Sequence, residues 1–235
     1  MKALIMAAGV GSRISRHLHG QPKCCVDVNG KPLIRHTLEL LKKKGITDIA
    51  IVTGYQERYI HQALEGMSYV RYFNPFFRVA NSISSAWFAR EFLGSDDILI
   101  MNGDVFMDES IVDVLLMDER SPLMLSDSTR IVDADYRFNW EEQLLRKYGK
   151  ELANDETTGE YVGIGVIGES DIGQFKQRVI DAVAVEDYHC WWEDIIYRTV
   201  DTGAKVHVKD VAGLFWAEVD YIEDYIRIKD YVNEK

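Results

Sequence analysis

The chain has 235 residues, 47% of them hydrophobic and 28% charged, with only four prolines; it can bury a large core and is too apolar to stay disordered. A formal net charge of −11 argues against nucleic acid or an anionic membrane surface as the main partner. The longest apolar runs, such as Ala3 to Val10 and Ile98 to Met101, are too short to cross a bilayer, and the N-terminus reads as a strand without a secretory leader.

Lys2–Ala7 is an apolar run ending in small residues, as a buried parallel strand would. Residues 8–22 read as a loop rich in Gly, Ser and Arg. Leu33, Ile34, Leu38 and Leu41 then recur at helical spacing within Lys31–Lys44, and Gly45 stops that helix. Asp48–Thr53 is expected as a strand, Gln56–Glu65 as a helix, Tyr69–Phe73 as a strand, Ser82–Phe92 as a helix and Ile98–Met101 as a fourth strand. This alternation predicts a three-layer α/β fold with a mostly parallel, mixed sheet. In the second half, Pro122–Asp135, Tyr161–Ile167 and Lys205–Lys209 read as strands, and Asp171–Ala184, Trp191–Asp201 and Ile222–Asn233 as helices. No linker or repeat interrupts the chain. The expectation is a single domain over 1–235, with a nucleotide-binding half (1–120) and a substrate-side extension (121–235).

Three cysteines, two of them adjacent (Cys24 and Cys25), make a poor disulfide framework and fit a reducing cytoplasm. The six histidines lack zinc-ligand spacing. Charge distribution is more telling than its total. Residues 1–31 hold Lys2, Arg13, Arg16, Lys23 and Lys31 against one acid, Asp27, a basic island suited to a small polyanion.

That island surrounds Ala8-Gly9-Val10-Gly11-Ser12-Arg13 and, further on, Pro22-Lys23. Glycines allow backbone N–H groups to approach anionic oxygens, and Arg and Lys neutralise what those amides cannot. A Walker A loop is excluded by the missing Gly-Lys-Ser/Thr. A dinucleotide fingerprint is excluded by Ile14 where its third glycine belongs and by Thr53-Gly54 where an acid should close the second strand.

The string from Lys2 to Arg13, with Pro22-Lys23 and Val28-Asn29-Gly30-Lys31-Pro32-Leu33-Ile34, closely resembles the signature of the sugar-phosphate nucleotidyltransferase superfamily. The resemblance implies an enzyme that transfers a nucleoside monophosphate and releases pyrophosphate. In it, the backbone of Ala8, Gly9, Gly11 and Ser12 holds base and phosphates, Arg13 gathers the β- and γ-phosphates, and Lys23 reaches the α-phosphate. Ile14-Ser15-Arg16-His17-Leu18 departs from the Leu-x-Pro-Leu-Thr common after the arginine. Asp104, after the fourth strand, and Asp220, in Glu218-Val219-Asp220, match the superfamily's metal carboxylates. They are the expected Mg²⁺ pair, since magnesium takes oxygen ligands. Taken by themselves, Asp104 is a turn residue and Asp220 with Glu223 a capping box for the last helix.

The Glu-Lys-Pro segment of hexose-1-phosphate members is absent. Instead Asn74-Pro75-Phe76-Phe77 runs into Asn81-Ser82-Ile83-Ser84-Ser85, which resembles the Asn-Asn-x-x-Ser segment of bacterial phosphocholine cytidylyltransferases and their aminoethylphosphonate relatives. Asn81 and Ser85 would then read cytosine, with a helix N-cap as their structural alternative. Lys150 and Trp191-Trp192-Glu193-Asp194 also sit as in that branch, and aromatic faces beside carboxylates suit an ammonium head. Tyr136 and Trp140 are further candidates. The same tryptophans would equally serve as core or as contacts of a homodimer. The expected reaction is CMP transfer from CTP to a small phosphorylated or phosphonate amino-alcohol such as phosphocholine. The alternatives are a hexose-1-phosphate uridylyl- or thymidylyltransferase and a catalytically inactive nucleotide sensor.

Overall fold

The computed structural model describes residues 1–11, 14, 18 and 20–234. In chain order the elements are β1 (Lys2–Ala7), β2 (Asp27–Val28), β3 (Lys31–Pro32), α1 (Leu33–Lys43), β4 (Ile49–Thr53), α2 (Glu57–Ala63), β5 (Val70–Phe73), α3 (Ser82–Phe88), β6 (Ile98–Asn102), β7 (Val105–Met107) and α4 (Glu109–Leu116). There follow β8 (Leu123–Asp127), β9 (Arg137–Glu141), β10 (Leu144–Gly149), β11 (Gly159–Ile167), α5 (Glu169–Ala184), α6 (Asp194–Tyr197), β12 (His207–Asp210), β13 (Trp216–Glu218) and α7 (Ile222–Asn233). Among the described residues, no helix is long and apolar enough to cross a membrane.

Nine strands form one sheet in the order β5-β4-β1-β6-β11-β8-β12-β10-β9. It is parallel where strands and helices alternate in the sequence, from β5 to β6, and antiparallel where β11 meets β6 and β8. Because side chains alternate along a strand, β1 feeds both cores. Leu4 and Met6 join the apolar faces of α3 and α5, while Ala3, Ile5 and Ala7 join those of α1, α2 and α4. Helices on both faces of the sheet make three layers. The sheet runs without interruption through residues of both halves of the chain.

The hairpin of β9 and β10 carries no turn signature in the sequence. Its two-residue turn is Glu142-Gln143, both left-handed at φ 49° and 61°, where Asn-Gly or Asp-Gly would be usual. The expected strand over Pro122–Asp135 stops at Asp127, and the helix expected over Trp191–Asp201 is a single turn, α6, followed by a short 3₁₀ turn. β9 also pairs with β11 (Gly159 opposite Phe138), so β11, β8, β12, β10 and β9 close into a ring of strands. That closure sets Tyr136 beside Tyr161, whose N–H donates to the Tyr136 carbonyl at 2.9 Å.

Candidate active site

β1 and β6 are parallel neighbours (Met6 opposite Asn102), so the segments leaving their carboxyl ends emerge side by side, where open α/β sheets bind ligands. From β1 come Ala8, Gly9 and Gly11. From β6 come Asn102, Gly103 and Asp104. The Gly103 N–H donates to the Met6 carbonyl at 2.8 Å. A Cβ at Gly103 would lie 2.9 Å from that carbonyl oxygen and from the Ala7 Cβ, so only glycine allows this crossing.

A second connection brings in the C-terminal acid. β13 pairs antiparallel with β7, and the Val219 N–H donates to the Asp104 carbonyl at 3.0 Å. Asp220 therefore faces Asp104 although 116 positions separate them (220 − 104). The capping expected of Asp220 and Glu223 falls elsewhere. Asp224 accepts from the Tyr221 N–H at 2.9 Å and the Asp220 N–H at 3.2 Å, and the Asp220 carboxylate turns into the site.

Lys23 lies on a short 3₁₀ turn, Lys23–Cys25. Its ammonium donates to Asp104 Oδ2 at 3.2 Å and to Asp220 Oδ1. Burial alone would lower the Lys23 pKa; the carboxylates of Asp104 and Asp220, with Glu218 behind them, outweigh it and hold it above its ordinary value. Gly11 is part of this device. It has φ 64°, and a Cβ there would sit 2.5 Å from the Lys23 Cγ. Cys24 and Cys25, both buried, carry free thiols.

Two cavities meet at this ion-pair cluster. The first, about 560 Å³, is lined by Ala8, Gly9, Gly11, Lys23, Asn74, Phe77, Arg78, Asn81, Ser85 and Asp104 among others. The second, about 320 Å³, is lined by Tyr136, Lys150, Tyr161, Trp191, Tyr197, Glu193, Glu218 and Asp220 among others. Gly11, Lys23, Asn102, Trp191, Glu193 and Glu218 belong to both.

The second cavity is aromatic and acidic. Tyr136 stacks on Tyr197 (centroids 5.5 Å apart) and meets Trp191 edge-on at 6.2 Å. Among the described residues its lining holds five carboxyl groups against two lysines, Lys23 and Lys150, and Lys150 is itself paired with Asp135 at 2.8 Å. Burial pushes the Glu193 carboxyl up to about 8, Asp194 and Asp104 adding to the effect, and its Oε2 has no hydrogen-bond partner among the described residues. Glu218 is likewise raised, by burial and by the charges of Asp104 and Asp220.

The sequence-derived candidates divide accordingly. Ala8, Gly9, Gly11, Lys23, Asp104, Asn81, Ser85, Asp220, Lys150, Trp191 and Glu193 line one or both cavities. Trp192 and Asp194 line neither. Trp192 is fully buried in the core, its Nε1–H donating to Asn102 Oδ1 at 3.2 Å, and Asp194 accepts from the Trp191 N–H at 2.7 Å. Both support the loop that presents Trp191 and Glu193 and take no part in the cage expected of them. Trp140 packs against the core and also lines neither cavity. Ser12 and Arg13 lie outside the described residues. Asn81 caps no amide with its side chain; its Nδ2–H donates to the His189 carbonyl.

Several lining residues were not anticipated. Asn74, Phe77 and Arg78 follow β5, and the Asn-Pro-Phe-Phe-Arg string was their signal. Tyr197 gave none, because it reads as an ordinary helix residue; Glu218 lay within Glu218-Val219-Asp220 and Tyr161 within Gly159-Glu160-Tyr161-Val162-Gly163, strings that resemble the family, but neither residue was singled out.

Residues 3–145 match the MobA-like NTP transferase domain. A choline-phosphate cytidylyltransferase from Streptococcus pneumoniae is 24% identical over 243 aligned positions that cover all of both chains. A CTP:phosphoglutamine cytidylyltransferase from Campylobacter jejuni is 25% identical, over 70% of this chain and 72% of its own. The solved structure of a CTP:phosphocholine cytidylyltransferase from Streptococcus pneumoniae superposes with a TM-score of 0.75 at 21% identity, covering 98% of each chain, which shows a common fold. With more than half of its length matched, this chain belongs to the MobA-like NTP transferase family.

Proposed function

We propose that the protein transfers CMP from CTP to a small phosphorylated or phosphonate acceptor with a cationic head, phosphocholine being the representative case. The observation that carries this reading is the position of Lys23, Asp104 and Asp220 at the junction of the two cavities. A nucleotide in the glycine-lined cavity and an acceptor in the aromatic, acidic one would meet there. An acceptor phosphate oxygen, already anionic near neutral pH, attacks the α-phosphorus in line. The bond from that phosphorus to the β-phosphate oxygen breaks, and pyrophosphate leaves. No general base is required, so the protein's contribution is positioning and charge neutralisation.

Ser12 and Arg13 are assigned to the triphosphate by resemblance, and Lys23 to the α-phosphate. Asp104 and Asp220 would hold Mg²⁺. The fit is supported by their converging on one cation, here the Lys23 ammonium, and by their being two hard oxygen donors, the number magnesium takes beside phosphates. When bound, the metal would supply charge neutralisation at the reacting phosphates. On this reading Lys23 leaves the carboxylates and turns to the α-phosphate.

The acceptor's other end is assigned to Tyr136, Tyr161, Trp191 and Tyr197, with Glu193 and Glu218 as counter-charges. Aromatic faces attract ammonium groups by about 0.5 to 2 kcal/mol each. Pyrophosphate release over a matrix of nucleoside triphosphates and acceptors tests the assignment. CTP with phosphocholine-like acceptors should dominate. A preference for UTP or dTTP with glucose 1-phosphate would establish the hexose-phosphate alternative instead.

Glu193→Gln should raise the acceptor KM with little change in the KM for CTP. In the parent, acceptor KM should fall as pH rises toward about 8, because the ammonium needs the ionised carboxylate, and the Gln variant should lose that dependence. The stability consequence has the opposite sign. Native Glu193 holds a proton that the unfolded chain releases above its ordinary 4.5, so stability declines as pH rises from 4.5 to about 8. Thermal melts should therefore show Glu193→Gln gaining on the parent at pH 8 relative to pH 5. Unaltered acceptor kinetics with that gain intact would make Glu193 a buried acid without a role in binding.

A further inference from the structure

Asn74 is buried at the start of the loop after β5 and makes three side-chain hydrogen bonds. The Phe76 N–H donates to its Oδ1 at 2.9 Å. A backbone amide can only donate, so this bond fixes which end of the side-chain amide is oxygen. The Nδ2 group must then face α3, where it donates to Ser84 Oγ at 2.9 Å and Ser85 Oγ at 3.0 Å.

The two serines differ in what remains. Ser84 passes its own hydrogen to the Asn81 carbonyl at 2.8 Å and is satisfied. Ser85, 3% exposed, lines the nucleotide cavity, and its single hydrogen has no acceptor among the described residues. With Asn74 donating to its oxygen, Ser85 offers the cavity an O–H donor.

We infer that Asn74 is a specificity-determining positioning residue, which sets Ser85 as a hydrogen-bond donor and thereby favours cytosine over uracil. This rests on the reading that Ser85 meets the base. Cytosine presents an acceptor at N3 where uracil presents N–H; the first base pairs the Ser85 hydrogen, whereas to accept from the second Ser85 must turn that hydrogen away and leave it unpaired. A buried site built for one polarity discriminates strongly against the other, because the mismatched groups are left unpaired.

The test is the ratio of CTP to UTP affinity, measured by calorimetry with Mg²⁺ and no acceptor. Asn74→Asp keeps the acceptor for Phe76 but takes hydrogens from both serines, turning Ser85 away from the cavity. The ratio should fall by about tenfold or more, through weaker CTP binding. Asn74→Ala, which removes the donor with little steric demand, serves if the buried aspartate prevents folding, and should also lower the ratio. Ser85→Ala should lower it to a similar extent, and Asn74→Ala combined with Ser85→Ala should add nothing further. A CTP-preferring parent whose ratio survives the Asn74 substitutions within twofold, with only the melting temperature lowered, would overturn this role and leave the cytidylyl reading intact. A parent that binds UTP as tightly as CTP would overturn both.

Discussion

Asp104→Asn and Asp220→Asn should each reduce turnover by about two to three orders of magnitude, the loss typical when one group stabilising developing charge is removed. The substitutions preserve side-chain volume, so the loss should appear in pyrophosphate release with the circular dichroism spectrum unchanged. Each variant leaves Lys23 paired with the remaining carboxylate, and the stability change should be small. Magnesium titration should show a weakened requirement curve in both, and EDTA should abolish turnover in the parent. If both variants worked within a few-fold of the parent, the two acids would be partners of Lys23 and nothing more.

Lys23→Ala should produce a different pattern, because Lys23 has two attachments. As a group on the α-phosphate, its charge matters most while negative charge builds there; the rate of chemistry should fall about a hundredfold or more while the Kd for CTP changes less. As the cation between Asp104 and Asp220, its removal leaves three acids, Glu218 included, facing one another. Breaking a fully buried pair costs about 3–5 kcal/mol; these side chains keep 13 to 19% exposure, so a loss on the order of 2 kcal/mol is expected. Adding Mg²⁺ should restore part of the lost melting temperature, since the metal can take the ammonium's place. An effect confined to the KM for CTP would assign Lys23 to ground-state binding only.

The structural side of this pattern depends on Gly11. Its left-handed backbone and missing side chain let the Lys23 stem lie against the loop, so a methyl group there must displace Lys23 from the two acids. Gly11 was legible as a phosphate-loop glycine. Its contact with Lys23 was not, because the two lie twelve positions apart and only the fold brings them together.

What the sequence determined by itself was local or nearly so. Apolar runs and helical patterns located β1, α1, β4 and α7 to within two residues. The contiguous string from Lys2 to Arg13 with Pro22-Lys23 carried the family resemblance, and the residue types around it marked a polyanion site. Short-range signals sufficed there because apolar runs, helix stops and glycine loops are written within a few positions of where they act. The tertiary structure decided the rest. The β9–β10 turn is built from Glu142-Gln143 and the ribbon of β7 and β13 from three-residue strands, too short for a periodicity to register. The closing of β9 onto β11 sets Tyr136 beside Tyr161, and the segment around α6 brings Trp191 and Tyr197 to them from elsewhere in the chain. The division of Trp191 and Glu193 from Trp192 and Asp194 follows from which side chains of one irregular turn face inward, and no periodicity governs such a turn. Likewise, Asp220 became a site residue when the cap fell one position later, on Tyr221 with Asp224 as its partner, a shift that only the path of the chain after β13 could make.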